Sequence, residues 1–329
     1  MKIIILDGNA LNPGDLNWNG FEALGEVTCY ERTSLEQRVE RIGNAEIVLV
    51  NKVPLDENVF SKCPNLKYIG VLATGFNVID LQAAKNHNIC VTNIPSYSTM
   101  AVAQAVFALL LEITNGVNAH SQSVHAGEWI KSPDFCYWKH PLTELYGKTL
   151  GIVGFGSIGM QTAKIAIAMG MNVVSFTRST QKIDAFNQKY ACLFENQPKI
   201  KALSFEELLK ESDIVSLHCP LSESTKGIIN EKSLSLLKEN AILINTSRGG
   251  LIEENAVANA LKQNKLRAYA CDVLAVEPME KDNPLLGVKN CIITPHVAWA
   301  GLETRQRLMN IAVNNLKSFI EGKPINKVN

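Results

Sequence analysis

Residues 149 to 178 constrain this chain more than any other stretch. Thr149-Leu150-Gly151-Ile152-Val153 is an apolar run of strand length, closed by the turn Gly154-Phe155-Gly156-Ser157-Ile158-Gly159. Gln161 to Met169 has helical character, and Val173-Val174-Ser175-Phe176 reads as a second strand. A bare G-x-G-x-x-G is a weak signal, but one that closes a strand and opens a helix is the dinucleotide fingerprint in its proper context. Gly154 permits the tight turn, Gly156 admits a pyrophosphate close to the backbone, and Gly159 lets the helix lie against the sheet. The pyrophosphate is then expected on free helix N-terminal amides.

The fingerprint also expects an acid about 20 residues on, to hold the adenosine ribose hydroxyls. Thr177 and Arg178 stand there instead, followed by Ser179 and Thr180, and no acid appears until Asp184. A guanidinium makes charge-assisted bonds to a phosphate, which a carboxylate would repel, so the pair favours NADP over NAD. Arg178 as a solvated surface cation is the plainer alternative.

At 329 residues the length suits about two domains, each with its own core. Lys plus Arg and Asp plus Glu balance at 32 each, without a long block of either sign, so neither a nucleic acid nor a membrane surface is expected as partner. The eight cysteines form no C-x-x-C pair and no metal-ligand spacing, which suits a reducing, cytoplasmic setting and no metal. Too few apolar residues follow Met1-Lys2 for a signal-peptide core, and the apolar helix near Met100 to Ile113 falls short of spanning length.

Before residue 95, strands are expected at Ile3 to Leu6, Ile47 to Val50, Tyr68 to Leu72 and Ile89 to Thr92. Short helices at Leu35 to Ile42, Asp56 to Lys62 and Asp80 to Asn86 alternate with them, which implies a parallel sheet. Thr74-Gly75 follows directly on a strand, at the edge where open α/β sheets bind ligands; its amides suit a substrate carboxylate, and an ordinary turn is the equal alternative. Lys52, just past another strand, is a second substrate-binding candidate. Pro95 to Thr99 interrupts the alternation and marks the crossing to a second domain, with Ser98 or Thr99 capping the next helix. Residues 125 to 146 carry aromatics and breakers with no period. Such a segment either embraces a partner subunit, folds over the cleft or packs on its own domain, and Trp138 is its most conspicuous residue.

Beyond the fingerprint, Ser204-Phe205-Glu206-Glu207 has the capping-box pattern, and strands are expected at Ile214 to His218, Ala241 to Asn245, Ala268 to Cys271 and Ile292 to Thr294. Arg248, Asp272 and His296 each follow one of these strands. Singly they read as a surface cation, a helix cap and a turn histidine; jointly they mark a site on the edge where the glycine turn places its cofactor. Glu277 lies within reach of a histidine from the following loop. Hydride delivered to a carbonyl carbon leaves an alkoxide that a general acid must protonate, a task suited to His296, and a carboxylate such as Glu277 favours a charged, oriented imidazole. Arg248 suits binding of a substrate carboxylate and polarisation of the carbonyl.

The motifs GIVGFGSIG, SDIVSLHCPL, NTSRGG, DVLAVEP and TPHVAWA, with GVLATGFNVID and YSTMAVAQAVFALLLE upstream, resemble the D-isomer-specific 2-hydroxyacid dehydrogenases along essentially the whole chain, and most closely the glycerate dehydrogenases or hydroxypyruvate reductases. The resemblance implies two Rossmann-like domains of doubly wound parallel sheets with the active site in the cleft between them. The substrate-binding domain, flavodoxin-like, would comprise 1–98 plus 299–329, and the dinucleotide-binding domain 99–298. A stripe of Leu302, Met309, Ala312, Leu316 and Phe319 fits a helix returning to the first domain. The resemblance also implies a homodimer, and places the catalytic roles on Arg248, Glu277 and His296. Cofactor contacts would fall on Thr74, Val102, Phe155, Gly156, Ser157, Ile158, Cys219-Pro220, Thr246-Ser247 and Asp272, and the substrate-carboxylate amides on Thr74 and Gly75. Thr177-Arg178 departs from the acid of many members.

With only Arg248 and Lys52 as candidate pocket cations, and the chain ending at Asn329 soon after its last helix, the expected substrate is a small unphosphorylated 2-keto acid: hydroxypyruvate first, glyoxylate second. A D-lactate or formate dehydrogenase on the same scaffold, or a dinucleotide-sensing corepressor of the C-terminal binding protein type, are the alternatives.

Overall fold

A computed structural model describes residues 1–194 and 198–329. The chain divides into two compact units, Met1–Ser98 with Trp299–Asn329, and Thr99–Ala298.

The first unit is a five-stranded parallel sheet of β1 (Lys2–Ile5), β2 (Glu26–Cys29), β3 (Ile47–Val50), β4 (Tyr68–Val71) and β5 (Cys90–Thr92), in the order β2-β1-β3-β4-β5. That is the flavodoxin-like order. Helices on both faces bury the central strands completely, which is why β3 and β4 read as unbroken apolar runs. β2 was not foreseen: it is a half-exposed edge strand, Glu-Val-Thr-Cys, whose weak alternation carries little signal. The final helix, Leu302–Ile320, returns to this unit through Leu308, Met309, Ala312 and Leu316, and Phe319 meets the Tyr68 ring at 4.8 Å. Leu302 shares the stripe's phase but lies in the first turn and is 46% exposed. Periodicity identifies a face and not where along the helix the core begins. Arg305, on the same helix, clasps Asp15 through both carboxylate oxygens at 2.7 and 2.6 Å.

The second unit is a seven-stranded parallel sheet: β6 (Thr149–Val153), β7 (Asn172–Phe176), β8 (Lys201–Ala202), β9 (Ile214–Leu217), β10 (Ile242–Asn245), β11 (Ala268–Cys271) and β12 (Cys291–Ile293), ordered β12-β11-β10-β9-β6-β7-β8. The chain winds outward both ways from the β6/β9 pair, as in a dinucleotide-binding sheet. The helix after the glycine turn starts at Ser157, four residues before the expected Gln161, because the turn itself supplies its first residues. Ser204 and Glu207 form the full capping box of the helix Phe205–Glu211. The helix Thr99–Asn115 buries Val102, Ala103, Val106, Phe107, Leu109 and Leu110. Among the described residues no single helix is long and apolar enough to cross a membrane. All eight cysteines are unpaired.

Candidate active site

The carboxyl edge of the second sheet carries the glycine turn, Cys219, Thr246, Arg248, Asp272, Glu277 and His296. At the end of β6, Gly154 has φ +102°, and a Cβ there would stand 2.7 Å from the carbonyl carbon of His218 and from the Cys219 amide nitrogen. The β6 and β9 exits are therefore in backbone contact, which only glycine permits. A Cβ on Gly159 would overlap the Gly154 carbonyl oxygen, so this glycine sets how close the helix lies to its strand. Gly156 differs from both: a Cβ there meets no heavy atom within 4 Å. Space beside Gly156 is open, and as the N-cap of the helix Ser157–Ala168 it makes no side-chain cap bond to the first amides. Uncapped amides at a helix N-terminus suit an anion.

Two enclosed polar atoms nearby have no partner among the described residues, Thr246 Oγ1 at the end of β10 and His218 Nδ1 at the end of β9. Buried polar atoms are seldom left so without a ligand in prospect. An open glycine turn, uncapped amides and the orphaned Thr246 hydroxyl fit a dinucleotide pyrophosphate and its flanking groups. His218 is otherwise anchored by Nε2 to Ser216 Oγ at 2.9 Å, and burial pulls its pKa down to about 4. Burial raises the Cys219 thiol, which marks it as a packing residue rather than a nucleophile. Pro220 is exposed beside it, and Ser247 donates to the Leu217 carbonyl at 2.7 Å, joining the β10 exit to β9. At the end of β7, Thr177 Oγ1 accepts from Ser179 N, and Arg178 is exposed with no ion pair among the described residues. Asp184 lies in the helix Gln181–Lys189, away from the strand end.

Arg248, Glu277 and His296 leave the neighbouring strands β10, β11 and β12. Asn245, fully buried, shapes the first turn: its amide nitrogen donates to the Arg248 carbonyl at 2.9 Å and its oxygen accepts from Ser247 N at 3.1 Å. The Arg248 guanidinium is exposed, with one nitrogen donating to the Ser247 carbonyl at 2.7 Å. A Cβ on the next residue, Gly249, would overlap the Leu274 carbonyl group and the Ala275 nitrogen, so the Arg248 turn lies directly on the loop that carries Glu277. Glu277 bridges that loop to histidine. Oε1 accepts from Leu274 N at 2.9 Å, and Oε2 lies 2.7 Å from His296 Nδ1. With Nδ1 engaged, Nε2 is the nitrogen turned to other chemistry.

Asp272 is 2% exposed, and the chain itself engages its carboxylate. Oδ1 accepts from Thr294 Oγ1 at 2.6 Å and Val297 N at 2.8 Å, and Oδ2 from Ala298 N at 2.8 Å. These donors flank His296, whose φ of +55° is unusual for a non-glycine residue. Asp272 thus holds the histidine loop in place. The sequence marked Asp272 but not this connection, and it passed over Asn245, Glu254, Asn283 and Thr294, which brace the same loops. A polar residue closing an apolar strand, as Asn245 does, was the available signal.

In the first unit, Thr74 Oγ1 donates to the Ile94 carbonyl at 2.7 Å, and Asn93 donates to the Thr74 carbonyl at 2.8 Å, which fixes the Thr74-Gly75 turn. Lys52 is exposed at the end of β3, its turn held by Asp7, which accepts from Asn51 N, Lys52 N and Val53 N at 2.8, 2.6 and 3.2 Å. Since β3 and β4 are neighbours, Lys52 and Thr74-Gly75 share one sheet edge.

Residues 107–298 match the profile of the D-isomer-specific 2-hydroxyacid dehydrogenase NAD-binding domain. The chain is 50% identical to a hydroxypyruvate reductase of Blautia hydrogenotrophica over the whole of both chains. It is 38% identical to a glycerate dehydrogenase of Methylorubrum extorquens, over 99% of this chain and 98% of that one. Among solved structures, an acyclic imino acid reductase in complex with NADPH and D-Arg aligns over all of both chains at 32% identity with a TM-score of 0.83. A D-lactate dehydrogenase with NAD+ from Lactobacillus jensenii aligns over 100% of this chain and 99% of that one, at 26% identity and a TM-score of 0.79. The chain belongs to the D-isomer-specific 2-hydroxyacid dehydrogenases, oxidoreductases that interconvert 2-keto and D-2-hydroxy acids with a nicotinamide dinucleotide.

Proposed function

We propose that this protein reduces hydroxypyruvate to D-glycerate, with glyoxylate as its second substrate, and that it takes NADPH in preference to NADH. The observation that carries the reading is the 2.7 Å approach of His296 Nδ1 to Glu277 Oε2 beside the Arg248 turn. The names of the relatives at 50% and 38% identity support the choice of substrate.

The dinucleotide, when bound, supplies the hydride. Ser157 and Ile158 amides would hold its pyrophosphate beside Gly156, and Phe155, Thr246, Cys219, Pro220 and Val102 would be its further contacts. The Arg248 guanidinium binds the substrate carboxylate and polarises the carbonyl, favouring the negative charge that builds on the keto oxygen. His296 gives its Nε2 proton to the oxygen as charge develops there, and Glu277 steadies the resulting change at the imidazole from the Nδ1 side. In the reverse direction the same nitrogen removes the hydroxyl proton. Within the first unit, the Thr74 and Gly75 amides and Lys52 share one sheet edge and suit a carboxylate, so that unit takes the substrate role and the second the cofactor role.

The NADP preference rests on Arg178, an exposed cation without an ion pair among the described residues, next to the Thr177 hydroxyl. A homodimer is supported by the segment before β6, where Trp129, Ile130, Phe135, Trp138, Leu142 and Tyr146 are all exposed. So many large apolar side chains along one stretch suit a covered surface.

The test is hydroxypyruvate reduction followed by nicotinamide absorbance with NADPH and NADH in parallel, with sedimentation equilibrium on the same sample. Faster oxidation of NADPH supports the full reading; a strong NADH preference removes the role of Arg178. Turnover of 3-phosphoglycerate far above that of D-glycerate removes the substrate assignment, and a monomer mass removes the dimer.

A further inference from the structure

The turn that carries Arg248 continues into the helix Glu254–Lys262, and Glu254, in its first turn, reaches into the neighbouring loop with both carboxylate oxygens. Oε1 accepts from Ala275 N at 2.8 Å, and Oε2 accepts from Asn283 Nδ2 at 2.9 Å. Asn283 is itself oriented, since its Oδ1 accepts from Leu285 N at 3.0 Å. One carboxylate therefore ties both ends of segment 275–283, and Glu277 stands inside that segment. Leu274 N, the residue before the first anchor, is the donor to Glu277 Oε1. Ala275 N, the anchor itself, is among the atoms pressed against Gly249. The element bearing Arg248 and the loop bearing Glu277 are thus fastened to each other at two adjacent places, once by backbone contact at Gly249 and once by Glu254.

We propose that Glu254 is a positioning residue for the reaction: it holds the Glu277 carboxylate at His296 and holds that loop against the Arg248 turn, while touching neither substrate nor dinucleotide. The inference rests on the reading of His296 as the acid and Glu277 as its partner. The plainer account of Glu254 is a first-turn acid that favours its helix through the dipole. Such a residue would affect stability alone. The two hydrogen bonds to a different loop are what the dipole does not explain, because a carboxylate serving only its helix has no need of partners 21 and 29 residues away.

The two roles separate in a double-mutant cycle. kcat and KM for hydroxypyruvate reduction are measured for the wild type, Glu254→Ala, Glu277→Gln and the double variant, with dinucleotide binding followed by fluorescence and unfolding by circular dichroism. A loop displacement of this kind costs about 10- to 100-fold in kcat for Glu254→Ala. Dinucleotide affinity stays within about twofold, since the glycine turn is untouched. In the Glu277→Gln background the same change costs no more than about threefold, because the carboxylate that Glu254 positions is already gone. Glu254→Gln, which keeps an acceptor for Ala275 N but sets one donor against another at Asn283, falls between, and it replaces Glu254→Ala in the cycle if the alanine variant does not fold. Full kcat in the single variant, or an equal loss in both backgrounds, overturns the proposal. If Glu277→Gln and His296→Ala leave kcat intact, the reading of the site fails instead; if they impair it and the Glu254 effect is additive, only the assignment of Glu254 fails.

Discussion

Replacing Gly156 by alanine separates a residue needed for the fold from one needed for the ligand. Its φ of −86° and ψ of −167° are open to any L-residue, and the added Cβ meets nothing within 4 Å. Restricting the unfolded chain stabilises such a variant by roughly 0.4–1 kcal/mol. Alanine at a helix N-cap is worse than glycine by roughly 0.5–1 kcal/mol, and Gly156 is the N-cap of Ser157–Ala168. The two terms offset, leaving a net change within about 0.5 kcal/mol, which moves the Tm of a domain of this size by no more than about 2 °C. Dinucleotide binding has no such compensation, because the methyl group occupies the approach to the helix amides. Breaking one charge-assisted hydrogen bond there raises Kd by at least about tenfold. Calorimetry gives the first quantity and fluorescence titration with NADPH and NADH the second. Unchanged affinity, or a Tm lowered by many degrees, would refute the idea that the open space beside Gly156 is the ligand's.

Gly249→Ala should do the reverse of a silent change: its Cβ overlaps the Leu274 carbonyl, so the Glu277 loop must retreat, and kcat is expected to fall about 100-fold for a shift near 1 Å. A variant with full kcat would show that the two turns move independently. Arg178→Ala, at an exposed site, should raise the KM for NADPH by about 5- to 30-fold and leave that for NADH unchanged; equal effects on both cofactors would rule out a phosphate interaction. His218 is held neutral, with its pKa lowered to about 4 by burial. The unfolded chain binds a proton there from about pH 6.5 downward while the folded chain does not, so up to about 3 kcal/mol of stability is lost as pH falls from 6.5 to 4. His218→Asn should flatten that part of the Tm-against-pH curve, and an unchanged slope would place the acid sensitivity elsewhere.

The sequence by itself determined the two sheets and the strand ends at which the candidate site residues lie. Central strands such as β3, β4 and β10 are buried on both faces, so their apolar runs are continuous and legible, and the polar residue closing each run marks where the chain leaves the sheet. The glycine turn was legible for a related reason, since close backbone approach excludes every other residue type. Edge strands β2 and β8 escaped, because exposure, partial in β2 and complete in the two-residue β8, relaxes the constraint on composition. Which side chain meets which was decided only by the tertiary structure. The pairing of Glu277 with His296 was anticipated from the chemistry, but Glu254 with Asn283, 29 residues apart, and Asp272 with the amides flanking His296 were not, and no local pattern specifies such pairs. They are set by the lateral order of β10, β11 and β12, together with the close fit of Gly249 on Leu274. Short-range preferences act over a turn of chain, whereas a hydrogen bond between loops exists only once the strands beneath them have been laid side by side.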